Sequence, residues 1–359
     1  MLWYMEEARE KDVIVSTRVR LARNLASYPF GMRLTQEKAK EMTDTLAAFY
    51  RDRGGFTVTD MQSVSHGEAL SLCERHYISR EFAEKKTPHA LVREESLGLS
   101  IMVAEEDHLR LQCILNGYAP DLAFERVMKE EEALDRAFEL AYSEKLGYLT
   151  HCPTNLGTAM RMSFMMHLPA LTMQGRMQIL SEQLQKLGLT VRGMYGEGSR
   201  AEAALYQISN QVTMGITEEE TLCKMKEIVM KIAESERAAR AAFKGETLEK
   251  LLDQAQRAEG LLRSARMISS SEFLSLYSAA RLGNAIGNVS AISSETLDRM
   301  LFEVMPATMS LSAQAYDADS ELPVTVKRDK RRAVLIQTII AEKAKKPTKR
   351  KPQAKEETT

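Results

Sequence analysis

The 359-residue chain lacks the marks of several protein classes. It has no CxxC pair: its four cysteines, Cys73, Cys113, Cys152 and Cys223, are scattered. That argues against a disulfide framework or a zinc site and for a reducing cytoplasm. No apolar run approaches the ~20 residues that span a bilayer. Met1-Leu2-Trp3-Tyr4-Met5-Glu6-Glu7 has neither the basic nor the apolar region of a signal peptide. A cytoplasmic protein without a membrane association is expected. No GxxxxGK[ST] run is present, so a Walker fold is not supported. No repeat of 20–50 residues stands out. The net charge is −1, which removes any global pull toward nucleic acid. One tryptophan against 21 methionines implies an adaptable core.

What is present centres on Ser100-Ile101-Met102-Val103-Ala104-Glu105-Glu106-Asp107-His108-Leu109-Arg110-Leu111. It reads as a buried strand, a turn through three consecutive acids and a histidine, and a second strand. Adjacent carboxylates repel, so a fold needing only a turn would rarely choose them. An acidic hairpin tip and a carboxylate aimed at a cationic substrate are the two readings of this stretch alone. Upstream, Val13-Ile14-Val15 runs into Ser16-Thr17-Arg18-Val19-Arg20, and an extended backbone points Arg18 and Arg20 to one face. That pair reads either as a basic strand edge or as a phosphate clamp.

Helices are expected over Thr35–Arg53, capped by Thr35 and ended by Gly54-Gly55, and over 67–76. Another is expected over 121–146, with a solvated charged face of Glu130, Glu131, Glu132, Asp135 and Arg136. Short strands are expected at 56–59, 90–93, 97–103 and 108–115. Cys152 stands before a proline in a Thr- and Asn-rich loop, and Gly157-Thr158 leads into an expected helix carrying Arg161. Near arginines, such a cysteine reads as a lowered-pKa thiol or as a small packed residue. One helix over 168–187 precedes a strand at 189–192 and a glycine-rich loop, Gly193-Met194-Tyr195-Gly196-Glu197-Gly198. A strand-like run spans 204–214 and a long helix 218–243. Beyond a boundary near Lys244-Gly245 the pattern turns helical, with caps expected at Ser271 and Ser294 and a final helix from near Arg328. The organisation expected is a lead-in over 1–12, a catalytic domain over 13–243, a helical domain over 246–342 and a disordered basic tail over 343–359. That tail reads mainly as a solubilising end.

Arginines thus stand in four separate loops or strands: Arg18 with Arg20, Arg110, Arg161 and Arg192. A cage of guanidiniums is one way to hold a polyphosphate without a P-loop. Two isolated carboxylates, Glu106 and Glu197, suit a guanidinium acceptor, because each can take a bidentate pair and one can accept a proton. Ser16-Thr17-Arg18-Val19-Arg20, Glu105 to Arg110, Cys152-Pro153-Thr154-Asn155-Leu156-Gly157-Thr158 and Arg192 to Glu197 resemble, in order and separation, the signatures of the phosphagen (guanidino) kinase family. Arg328-Asp329-Lys330-Arg331-Arg332-Ala333 resembles the RDxxRA phosphoarginine pocket of the bacterial branch that phosphorylates arginine side chains in proteins.

The resemblance implies an α+β fold: an antiparallel sheet flanked by helices, followed by an all-α C-terminal domain. It implies ATP with Mg²⁺, the metal held by nucleotide and water without a dedicated protein site. It places ATP against Ser16, Thr17, Arg18, Val19 and Arg20; against His76 and Arg110; against Arg161, Met162, Ser163, Phe164 and Met165; and against Arg192, Gly193, Met194, Tyr195 and Gly196. Glu106 becomes the base, Glu197 the second guanidinium anchor, and Cys152 the residue that tunes the acceptor's position. Implied partners are proteins with exposed arginine, an activator protein, a Clp-type ATPase/protease that degrades the marked proteins, and a second copy in a homodimer. Two departures from the family pattern stand out: Ala104 where Asn is usual, and Ser199-Arg200 where Thr-Glu is usual. Competing readings are a phosphoarginine-reading adaptor with little kinase activity and a kinase of small guanidines.

Overall fold

The computed structural model describes residues 2–6, 8–29, 31–193, 202–287, 289–316 and 321–344. Eight strands form one antiparallel sheet: β1 (Ile14–Arg23), β2 (Thr57–Asp60), β3 (Ala90–Glu94), β4 (Leu99–Val103), β5 (Leu109–Asn116), β6 (Met160–His167), β7 (Leu189–Gly193) and β8 (Leu205–Asn210). Their order across the sheet is β2-β3-β4-β5-β1-β6-β8-β7, which puts β1 near the centre. Its alternating β-branched and charged residues explain that place. Val19 and Leu21 are fully buried on one face, while Arg18 and Arg20 point to the other.

The apolar face packs under α1 (Gln36–Arg53), α4 (Pro120–Ala137), α6 (Met177–Lys186) and α7 (Glu218–Ala241). Thr35 caps α1, its side chain accepting from the Lys38 amide, and Gly54 ends it at φ 68°. The helix expected to reach residue 146 stops at Ala137, and its acidic face is not simply solvated. Glu130 and Glu131 are buried, paired with Arg53 at 2.6 Å and with Arg23 at 2.9 Å. The guanidinium of Arg23 also lies 3.4 Å above the Tyr148 ring. Truncating Glu131 leaves that cation buried and unpaired. Glu131→Ala is expected to cost about 3–5 kcal/mol in urea unfolding. Glu132→Ala, one residue along but on the exposed side, should stay within about 0.5 kcal/mol.

Other boundaries also differ from the sequence reading. Residues 160–167 form β6, not a helix, because they complete the sheet between β1 and β8. The expected helix over 168–187 is two, α5 (Pro169–Met173) and α6, separated by Gly175 at φ 67°. The strand-like run over 204–214 is paired only from Leu205 to Asn210.

The C-terminal helices are α8 (Gly245–Ser264), α9 (Ser270–Ile286), α10 (Ser294–Glu303), α11 (Pro306–Tyr316) and α12 (Val324–Ala344). Ser269 and Ser293 cap α9 and α10 in place of the serines expected there. Their apolar residues join one cluster with Trp3, Tyr4, Val15, Met102, Ile114 and Met165. Tyr4 stacks on Phe302 at 5.2 Å and Trp3 meets it at a tilt, 4.6 Å away. Arg281 on α9 binds Asp298 and the Lys11 carbonyl. At the sheet side, α2 (His66–Glu74), which precedes the short α3 (Arg80–Glu84), ends in Glu74, whose carboxylate accepts from the Ala307 and Thr308 amides at the start of α11.

Candidate active site

Directly opposed residues of an antiparallel pair share a face. Arg20 stands opposite Arg161 on β6 and Gln112 on β5; Arg18 stands opposite Ser163, and Ala22 opposite Arg110. Arg192 on the edge strand opposes Gln207. One sheet face therefore gathers Arg18, Arg20, Arg110, Arg161 and Arg192 with Ser16 and Ser163. Thr17, Val19, Met162 and Phe164 have the other parity and are buried beneath the sheet, so their side chains do not join that face. Met165 is on the arginine face but packs into the apolar cluster shared with the C-terminal helices.

The arginines crowd one another. Burial, then Arg161 and Arg110, push Arg18 down to about 10. Burial, then Arg18, Arg110 and Arg161, hold Arg20 well below the usual guanidinium range, with Glu105 opposing. The Arg20 Nε is buried without a hydrogen-bond partner. Arg18 Nε donates to Ser163 Oγ at 3.4 Å and Arg161 donates to Ser209 Oγ at 2.9 Å. A bound anion would relieve the mutual repulsion of such a face. His76 closes one end. It sits in the left-handed region at φ 62°, held by Gln112 donating to its carbonyl at 2.7 Å, and its ring meets Phe302 edge-on at 5.7 Å. Burial and the field of Arg18 and Arg20 push the imidazole down to about 3, so it is neutral at pH 7.

The acid turn divides its three carboxylates between separate tasks. Glu105 is an inward brace: it accepts from Arg110 at 2.7 Å and from Ser79 Oγ at 2.8 Å. Asp107 is a staple: its Oδ1 accepts from Asn24 Nδ2 and from the His151 amide, both at 2.7 Å. Only Glu106 projects, 40 % exposed, 3.6 Å from Arg110. Burial, then the Asp107 charge, raise its pKa, with Arg110 opposing. Ala104, at φ 60°, takes a conformation that asparagine tolerates better than alanine, which gives the departure there a backbone meaning.

Cys152 belongs to the loop that Asp107 staples. Its Sγ meets Thr154 Oγ1 at 3.0 Å, and Thr150 donates to its carbonyl at 2.8 Å. Thr213 fastens the loop's far side by donating to the Leu156 carbonyl at 2.8 Å. Gly157 makes that approach possible: at φ 98°, a Cβ would lie 2.1 Å from the Thr213 carbonyl oxygen. Gly157→Ala is expected to destabilise the fold by about 2–4 kcal/mol in denaturant titration and to displace the Cys152 loop. Met194, Tyr195, Gly196 and Glu197 lie outside the described residues, and Gly193 ends β7.

The RDxxRA-like motif lies in the second turn of α12, which begins at Val324 and not near Arg328. Arg332 is fully buried and donates to the carbonyls of Val304 at 2.8 Å and Ile268 at 2.7 Å and to Asp329 at 2.6 Å. Ala333 is core. Arg328 and Asp329 are a fifth to a quarter exposed, 3.6 Å apart. Lys330 and Arg331 flank them on the same turn. Sequence reasoning missed the supporting residues Ser79, Glu105, Asp107, Asn24 and Thr213. The acid triplet was the available signal, but nothing local says which member is free.

Residues 37–239 match the family model described as ATP:guanido phosphotransferase, C-terminal catalytic domain. Residues 248–352 match the protein-arginine kinase McsB C-terminal domain. A protein-arginine kinase of Desulforamulus reducens is 38 % identical over 314 residues, covering 86 % of this chain and 88 % of that one. One of Syntrophomonas wolfei is 36 % identical over 337 residues, covering 92 % of each. Among solved structures, the duplicated taurocyamine kinase of Schistosoma mansoni with transition state analog components has a TM-score of 0.58 at 22 % identity. It covers 70 % of this chain, which spans only 39 % of that one. A lombricine kinase gives 0.57 at 22 % identity, covering 65 % of this chain and 69 % of that one. These structures share the antiparallel sheet flanked by helices, and the sequence matches take in the catalytic and the C-terminal parts alike: the chain belongs to the ATP:guanido phosphotransferase family.

Proposed function

We propose that this chain transfers the γ-phosphoryl group of ATP to arginine side chains of proteins. One observation carries the reading: four guanidiniums, of Arg18, Arg20, Arg110 and Arg161, share a sheet face at whose end Glu106 projects beside Arg110. In this reading the arginines hold the nucleotide phosphates and neutralise charge on the group in transfer. The orphaned Nε of Arg20 suits an anion. Glu106 takes the acceptor guanidinium in a bidentate pair and fixes its nitrogen in line. As that nitrogen attacks the γ-phosphorus, the bond to the ADP oxygen breaks, the P–N bond forms, and the guanidinium proton passes to Glu106. A raised pKa makes Glu106 the better proton acceptor. The family resemblance assigns Cys152 and Glu197 to the acceptor as well.

Among the described residues no group of three His, Cys, Asp or Glu is placed to hold a metal. As the family resemblance implies, Mg²⁺ is assigned to nucleotide oxygens and water, where it would supply further neutralisation of the phosphates. Protein arginines are preferred to small guanidines as acceptors because relatives of matching length are protein-arginine kinases. The same reading extends to phosphoarginine recognition by Arg328 and Asp329, with Arg332 as a brace from within. It extends also to degradation of the marked proteins by a Clp-type protease, to an activator protein, and to a cytoplasmic homodimer.

The test is phosphorylation of an unstructured, arginine-containing protein with labelled ATP and Mg²⁺. Label that acid removes, as expected of a P–N bond, supports the reading. Suppression by equimolar free arginine would instead indicate a small-guanidine kinase. No label with tight phosphoarginine binding would leave an adaptor.

A further inference from the structure

The loop that carries Cys152 has a second side. At its base a groove of ≈ 680 Å³ opens between residues 140–148 and 214–220. Three large apolar side chains line it and stay exposed, Tyr142 at 60 %, Leu146 at 43 % and Met214 at 49 %. Its charged lining is three carboxylates, Asp135, Glu218 and Glu220, against one lysine, Lys145. Arg23, behind the Tyr148 ring, is paired with Glu131, and the part of its charge that reaches Glu218 is opposed there by Glu219 and Glu131, so the lining keeps an acidic balance. The groove therefore fits a ligand that combines a cation with an apolar side chain.

We propose that this groove docks a basic, partly apolar segment of the protein substrate next to the arginine that is phosphorylated. The inference rests on the reading above and adds a specificity site to it. Tyr148 and Cys152 are four residues apart, so at most ~14 Å of backbone separates groove from loop tip. An extended substrate spans that distance in about four residues. A lysine beside a leucine, up to about four positions from the acceptor arginine, is the sequence the groove selects. Free arginine and single-arginine compounds never reach it.

The experiment uses two pairs of unstructured peptides, each peptide with one acceptor arginine and either Leu-Lys or Ser-Gln four residues away, one pair for each side of the arginine. The full-length enzyme is expected to show an about tenfold lower KM for the Leu-Lys peptide with kcat unchanged. Glu218→Lys and Tyr142→Ala should each erase the difference while leaving turnover of the Ser-Gln peptide intact, which also reports that they fold. Glu218→Lys should favour a Leu-Glu peptide instead. Equal KM values for wild type, or discrimination that survives both substitutions, overturns the docking site and leaves the kinase untouched. If wild type phosphorylates no arginine in any of these peptides, the kinase reading fails separately. Anisotropy of the labelled Leu-Lys peptide then decides the groove: weaker binding to Glu218→Lys keeps it, equal binding removes it.

Discussion

Glu106→Gln should lower kcat by about 10²–10⁴-fold while ATP binding stays within a factor of two or so. Glutamine keeps the size and one acceptor oxygen but cannot take a proton or form the charged bidentate pair. The fold has little stake in Glu106: it is 40 % exposed and its 3.6 Å contact to Arg110 is the weaker of two, since Glu105 holds that arginine at 2.7 Å. A matching loss on Glu105→Gln would act differently, by releasing Arg110 and weakening ATP. The pH profile gives a second reading of the same residue. Only the ionised carboxylate can serve as base. Its pKa is raised, so the acid limb of kcat/KM should fall at a higher pH than an ordinary glutamate would give. Glu106→Gln should remove that limb. Retained activity in Glu106→Gln, or an unchanged acid limb, would sink its role as base.

Arg20→Met is expected to move stability and function in opposite directions. Without nucleotide, Arg20 is a cation among cations, its Nε buried and unpartnered and its charge held down by burial, Arg18, Arg110 and Arg161. Methionine fills similar space and ends the repulsion, so the apo protein should gain about 1–2 kcal/mol. With ATP the order reverses. Wild type gains RT ln(1 + [ATP]/Kd), about 2.7 kcal/mol at a hundredfold excess over Kd. The variant should lose most of this nucleotide-dependent rise in Tm, and at least 10²-fold in kcat/KM. Thermal scans with and without ATP decide it. A lower apo Tm in Arg20→Met would mean that the arginine supports the fold and is not reserved for a ligand.

The arginine face was legible where a period of two could be read. Arg18 and Arg20 alternate with buried Val19 and Leu21, and no helix would place both on one face. Arg161 was equally a face residue, but its neighbours Ala159, Met160 and Met162 favour helix locally, and only pairing to β1 and β8 makes them a strand. Glu130 and Glu131 misled for a related reason. A run of acids on a helix reads as solvated, and the arginines that bury these two lie 77 and 108 residues away in the chain. Motif resemblance singles out Glu106 but says nothing of its independence from Glu105 and Asp107. That division depends on Ser79, Asn24 and His151, which meet only in the folded hairpin.

Trp3 and Tyr4 have consequences for how the chain is made. Their shared aromatic partner is Phe302, and the Tyr4 hydroxyl reaches Glu303, 299 residues later. At 5–20 residues per second the ribosome needs roughly 15–60 s to supply that partner. Throughout that interval the sheet can assemble and hold the lead-in through Asn116, while the Trp3 and Tyr4 rings lack their Phe302 cover, a surface open to chaperones and to other nascent chains. The arginine face shares the delay at His76, whose ring also rests on Phe302. Completion of the His76 end of the arginine face is thereby tied to synthesis of residue 302, so products of translation interrupted before it would carry Arg18, Arg20, Arg110 and Arg161 without that support.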